Sequence, residues 1–327
     1  MSFSFKSSVR WALAVLAVVG VSACSQKREP REKPLVVTSF FPLYDFARQL
    51  GGTNFDVRCL VPPGADPHSV EASAGSAKLV ADADLVLLLG LGIDGWVERL
   101  AKAEGRRQMA TITGGIPTRK PTTLALEEFG KGGAAGEKHD HAHDHGHDHA
   151  HPADVDPHLW MDPLIAQRLV KRIAGELVTL APQHKAIVEE RQAKIVADIE
   201  KLHEDFEAAA KKFQKREVVT FHGAFSYLLA RYDVNEAAII QMFPGDEPSA
   251  SYLRKLVDLV RAKGITVVFA ETSVPDRAAQ VIAKEIGGSV EKLDPLELQL
   301  ADAPDRGYVE RQRANLDAFK RVLGQKD

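Results

Sequence analysis

Apolar positions along the chain follow two alternating rhythms. Short, largely β-branched runs occur at 35–38, 57–61, 85–89 and 110–112, and again at 218–221, 237–240, 265–270 and 289–293. Compact runs of this kind suit strands covered on both faces. Helical spacing fills the gaps. Leu43, Phe46, Ala47 and Leu50 make one face before Gly51, and Leu253, Leu256, Val257 and Val260 make another before Gly264. Strand–helix alternation predicts parallel sheets flanked by helices, with four strands in each half. Between the halves, Val188, Ile195, Ile199, Leu202, Phe206, Ala209 and Phe213 recur at spacings of three, four or seven without Gly or Pro. A helix of about thirty residues would reach about 45 Å, so 182–214 is expected to be a stiff joining helix. The predicted fold is α/β: lobes 34–181 and 215–327, each a four-stranded parallel sheet, with a cleft between them. The 327 residues are about twice the ~150-residue norm for one domain.

The N-terminus has a different grammar. Lys6 and Arg10 precede an apolar run over 11–21 and then small residues. The run is shorter than the ~18 residues a membrane span needs, which marks 1–23 as an export signal. Val21-Ser22-Ala23-Cys24 resembles a bacterial lipobox, making Cys24 a candidate for lipidation and membrane anchoring, with 24–33 as a polar tether. Removing 1–23 takes the net charge from −3 to −5, because Lys6 and Arg10 are its only charged residues. No basic field attracts nucleic acid. A composition of 45% hydrophobic and 27% charged residues excludes wholesale disorder, collagen and a multi-span membrane protein. Two cysteines exclude a disulfide scaffold and a cysteine zinc finger. Cys59 is expected to be a small buried apolar side chain.

Histidine changes the picture. Seven of the twelve, His139, His141, His143, His145, His147, His149 and His151, alternate with Asp, Ala and Gly inside a loop at 137–153. Imidazole is the commonest metal ligand, and such tracts collect metal. Gly and Ala neighbours preorganise nothing, so a loose, multi-site collector is expected. Asp-Pro-His occurs twice, at 66–68 and 156–158. Proline stiffens the turn before each histidine. His222 follows a strand in the second half, and Asp294 ends the last one. If the strand ends of two lobes face each other, His68, His158, His222 and Asp294 converge in the cleft. Three imidazoles and a carboxylate suit tetrahedral zinc, whereas manganese favours more oxygen.

In this order, the constellation resembles the zinc/manganese solute-binding lipoproteins of bacterial ABC importers, particularly the high-affinity zinc type. Thr38-Ser39-Phe40-Phe41-Pro42, Pro62-Pro63-Gly64-Ala65-Asp66-Pro67-His68, Asp156-Pro157-His158-Leu159-Trp160, Phe221-His222-Gly223-Ala224 and Leu293-Asp294-Pro295-Leu296 carry it. The resemblance implies that His68, His158 and His222 hold the metal. It gives Asp294 the same role by analogy with some members, while others use water or another carboxylate. After the first histidine the family commonly has Tyr-Glu-Pro, whereas Ser69-Val70-Glu71-Ala72 follows here, so the resemblance assigns Glu71 no role. The resemblance also implies Zn²⁺ as transported cargo, a permease and its ATPase as partners, a monomer anchored at the periplasm or cell surface, and no enzymatic activity.

Manganese or iron as cargo is the alternative within that class, and a surface adhesin or zinc store lies outside it. A zinc hydrolase is disfavoured: His203-Glu204 lacks the second histidine of H-E-x-x-H, because position 207 is Glu. That pair is expected on a solvated helix face, and Glu271 as a hydrogen-bonded buried carboxylate. Gly90-Leu91-Gly92-Ile93-Asp94-Gly95 matches a dinucleotide fingerprint, but no acid lies at 110–120 to complete it. Asp94 is therefore expected to cap a helix.

Overall fold

A computed structural model describes residues 31–105, 108–120, 155–241, 248–272 and 275–324. The export signal, Cys24, most of the tether and the seven loop histidines lie outside the described residues. From Lys33 onward the chain is one compact unit.

The first half builds a parallel sheet from β1 (Leu35–Thr38), β2 (Asp56–Cys59), β3 (Leu85–Leu88) and β4 (Met109–Thr111) in the order β2-β1-β3-β4. Burial follows from that order. The central strands β1 and β3 are buried at every position, while β2 and β4, at the edges, are only partly covered. Helices α1 (Phe41–Gly51), α2 (Ala74–Asp82) and α3 (Gly95–Ala103) connect them. Val36 pairs with Val57 on one side and Leu85 on the other.

After α4 (Pro163–Leu180) and α5 (Lys185–Ala210), the second half comprises β5 (Glu217–Thr220), α6 (Ser226–Arg231), β6 (Asn235–Ile239), α7 (Ala250–Ala262), β7 (Val267–Glu271), α8 (Arg277–Ile286), β8 (Ser289–Leu293) and α9 (Tyr308–Leu323). Among the described residues, ladder bonds join β5 to β6 and β7 to β8 in parallel. This differs from the single four-stranded ladder that the spacing predicts, although β5 lies alongside β7. A register shift between Val218 and Val219, opposite Glu236 and Ala238, leaves Ala237 unpaired.

The joining helix α5 has 26 residues, about 39 Å at 1.5 Å per residue. Pro182–His184 forms a separate 3₁₀ turn before it. Every apolar position picked out by the spacing from Val188 to Ala209 is buried. The helix packs along α4, α9 and α1. One large core therefore runs from Val36 to Leu323 through both halves, with a smaller cluster on the far face of each half's strands. Alternation in β3 shows how the faces divide: Leu85 and Leu87 join the shared core, and Val86 and Leu88 the outer cluster, as a period of two requires.

Polar ties fasten the halves as well. Asp45 of α1 is fully buried and accepts from the Tyr308 N–H at 2.8 Å. A carboxylate of the first helix thereby caps the last one. Burial raises the Asp45 carboxyl, against opposing bonds from Tyr308, Arg48 and Gln49. Asp162, at the start of α4, accepts from Arg231 of α6 at 2.6 and 2.9 Å. Cys59 is half-buried on the edge strand β2 and not fully buried as the spacing suggests, and the desolvation it does meet pushes its thiol up to about 12. Asp45→Ala should leave the buried Tyr308 N–H without its acceptor and cost about 1–3 kcal/mol, measured as a lower urea midpoint. An unchanged midpoint would show that the cap adds nothing to stability.

Candidate metal centre

The chain contains four Asp-Pro dipeptides, and all four make the same turn. The carboxylate of Asp66, Asp156, Asp162 or Asp294 accepts from the backbone N–H two residues on, at His68, His158, Leu164 and Leu296, over 2.8–2.9 Å. Proline cannot donate and holds its own φ, so the aspartate is left to satisfy the next free N–H. Two of these turns present histidines. A third starts α4. The fourth brings Leu296 to φ 56°, a left-handed conformation that side chains other than glycine rarely adopt, immediately before Glu297.

The structure brings together His68, after β2, His158, before α4, and His222, after β5. The fourth member is Glu297, after β8. Their ligand atoms all lie within 4.8 Å of one another. Glu297 Oε1 is 3.3 Å from His68 Nε2, 2.9 Å from His158 Nε2 and 3.3 Å from His222 Nε2. The ring centroids are 5.3 to 6.2 Å apart. Among the described residues, buried His158 Nε2 has no well-aligned hydrogen-bond partner, and Glu297 Oε1 faces it at 2.9 Å as an ion-pair partner. A buried nitrogen facing the meeting point of three imidazoles and one carboxylate is what a tetrahedral cation site requires.

Carboxylates behind the rings set their orientation. Asp156 Oδ1 sits 2.7 Å from His158 Nδ1, and Glu271 bonds His222 Nδ1. Occupying Nδ1 leaves Nε2 to face the centre. Trp160 packs against the His158 ring at 5.2 Å and meets Phe40 edge-on. The His68 imidazole is the most open of the three, 21% exposed against 8% and 5% for His158 and His222.

Proton affinity follows from these contacts. Burial alone would lower His158, but Asp156 and then Glu297 outweigh it and raise the ring to about 9. Burial likewise opposes charge on His222, and Glu271 and Glu297 overcome it, holding the ring well above its ordinary value. Glu297 would be raised by burial, yet His222 and His68 hold it well below the usual carboxylate range. Without metal the centre therefore holds protons between carboxylates, and a cation must displace them.

Asp294 does not join the cluster. Arg311 grips it through Nε and Nη2, both at 2.6 Å, while Asn315 bonds its backbone on both sides. Both carboxylate oxygens are thereby committed. Asp294 anchors the turn that delivers Glu297, three residues further on, and the carboxylate in the centre is Glu297. The signal in the sequence was Leu-Asp-Pro-Leu-Glu: the turn-forming aspartate is spent locally, and the next acid is free. Glu271 is a buried, hydrogen-bonded carboxylate, and its partner is His222. His203 is not solvated as expected: its ring is 13% exposed and bonds the Tyr232 hydroxyl at 3.0 Å. Asp94 stands at the start of α3 but does not cap it with its side chain. Its carboxylate turns back to accept from Ser39 Oγ, Leu89 N and Gly90 N, bracing a loop in which Gly90, Leu91 and Gly92 all have positive φ. Glu71 is exposed and outside the cluster.

Fold and site together define a solute-binding protein for a divalent metal. The family model of the zinc-uptake complex component A, periplasmic (ZnuA), matches residues 36–322, and the chain belongs to that family, whose members are solute-binding proteins and not enzymes. The high-affinity zinc uptake system protein ZnuA of Bacillus subtilis is 32% identical over 294 residues, covering 89% of this chain and 88% of that one. The metal-dependent lipoprotein YcdH of Bacillus subtilis superposes with a TM-score of 0.71 at 29% identity, covering 89% and 99%. The laminin-binding protein Lmb of Streptococcus agalactiae, described as a bifunctional protein with adhesin and metal transporting activity, gives 0.72 at 28%, covering 89% and 100%.

The raised His158 value has a signed consequence. A proton held more tightly in the folded state stabilises it fully below the unfolded imidazole value of ~6.5, and that contribution is lost as pH rises through about 9. The urea midpoint of the metal-free protein should therefore fall across this window. In His158→Gln the fall should shrink, and an undiminished fall would assign the proton elsewhere.

Proposed function

We propose that this chain captures Zn²⁺ outside the cytoplasm and delivers it to the permease of an ABC importer. The observation that carries this is the convergence of three imidazole Nε2 atoms and the Glu297 carboxylate within 4.8 Å. The proposed ligands are His68, His158, His222 and Glu297. Three nitrogens and one oxygen favour zinc over manganese. Family membership and the high-affinity zinc relative point the same way. Zinc here is cargo and not a resident cofactor. Its arrival releases the protons held on His158 and His222, so capture weakens as the medium becomes acidic.

The remaining parts of this assignment rest on sequence. Cys24 is the proposed lipid attachment point, holding a monomer at the outer side of a bacterial membrane beside its permease and ATPase. The histidines at 139–151 are the proposed collector that raises the local zinc concentration. Among the described residues no helix is long and apolar enough to cross a membrane.

Metal content by mass spectrometry tests the assignment. Mature protein lacking 139–151 is loaded with mixed Zn, Mn, Fe, Ni and Cu and dialysed. The expected result is one zinc per chain. His222→Ala should lose it, at a cost beyond the ~10–100-fold typical of changes to groups that only orient a ligand. No retained metal would move the binding into the histidine loop, and retained manganese would change the cargo.

A further inference from the structure

The bond from Asp156 to His158 is held from the other half of the molecule. Ser226, the first residue of α6, donates its hydroxyl to Asp156 Oδ2, while Asp156 Oδ1 takes His158 N and faces His158 Nδ1. Ser226 lies four residues beyond His222, so one short stretch supplies a centre residue and the hydroxyl that orients the carboxylate behind another. The neighbouring Tyr227 hydroxyl donates to Asp156 O at 2.9 Å and accepts from Arg119 N at 2.8 Å. Asp156 N completes the ring by donating to Arg119 O at 2.8 Å. Ser226, Tyr227, Asp156 and His158 are all buried. Arg119 and Asp156 bracket the segment that contains the histidine loop, and its two ends are stitched together at this neck, two residues from His158.

We propose that Ser226 is a positioning residue for the metal centre: it fixes the Asp156 carboxylate from the second half, so that Asp156 holds His158 Nδ1 and His158 presents Nε2 to the metal. Tyr227 serves the same end through the backbone, pinning Asp156 and closing the neck. Neither residue touches the metal; both act through Asp156. The assignment rests on the proposed zinc site, and its geometry makes the orientation of His158, a first-half residue, depend on a second-half hydroxyl.

The test uses the full chain and Zn²⁺ alone, with affinity read by competition against a chromogenic chelator in the tightest binding phase. Ser226→Ala should weaken zinc about tenfold while the urea midpoint of the metal-free protein moves little, and Ser226→Thr should restore most of the affinity. A cycle with Asp156→Asn separates positioning from general damage: once Asp156 is changed, removing the Ser226 hydroxyl should cost nothing further. Tyr227→Phe is the second variant and should weaken zinc to a lesser degree, so a misfolded Ser226→Ala would not remove the test. Binding by Ser226→Ala within twofold of wild type, or losses that add in the double variant, would overturn the positioning role while leaving the zinc site standing. Absence of tight zinc in the wild-type chain would overturn the zinc site and the positioning role together.

Discussion

Taking imidazoles and a carboxylate out of water around one point is the constraint on which the rest of this structure depends. Each group would lose hydration on burial, and each recovers it only through partners of the right charge. Glu297 sits among three imidazole nitrogens, and Asp156 and Glu271 stand behind two of them. In the metal-free state, protons on the rings balance these acids, which is why His158 and His222 are raised and Glu297 is lowered. The negative charge that a divalent cation would need is thus already in place at the proposed centre.

Preparation is also mechanical. The loops that carry the four residues are tied to one another. Gly64, on the His68 loop, donates to Gln299 O beyond Glu297. Trp160, two residues past His158, donates to Pro295 O, and Tyr308 of α9 donates to Trp160 O. Ser226 reaches Asp156. Arg311 completes the frame, holding Asp294 and Leu298 O while its guanidinium lies 4.4 Å from the centre of the Phe41 ring. With a shared core and the long helix α5 packed along α1, α4 and α9, the chain forms one compact unit from Lys33 onward.

Much of the architecture was legible in the chain. Among the described residues, all eight strands sit within two residues of where β-branched runs placed them, and α5 follows its apolar spacing. These features are local: a strand needs a few apolar neighbours, and a helix face repeats every three or four residues. The Asp-Pro-His turns were legible for the same reason, since proline dictates the conformation of residues beside it. The pairing of the second-half strands was not legible, because ladders depend on how strands far apart in the chain approach one another. The side chains of Asp94 and His203 also departed from expectation. Each took a tertiary partner, Ser39 and Tyr232 respectively, in place of the cap or the solvent that its local context suggested.

The sequence by itself determined the alternation of strands and helices, the stiff helix between halves, the repeated Asp-Pro turns and the three histidines worth watching. Only the tertiary structure decided which acid stands among them. Asp294 and Glu297 are three residues apart on the same turn, and either could be argued from composition. Arg311, supplied by the last helix, consumes both oxygens of Asp294 and leaves Glu297 facing His68, 229 residues away in the chain. Local patterning is set by neighbours along the backbone, whereas a centre of converging side chains is set by whichever partners the packed fold brings within a few ångströms.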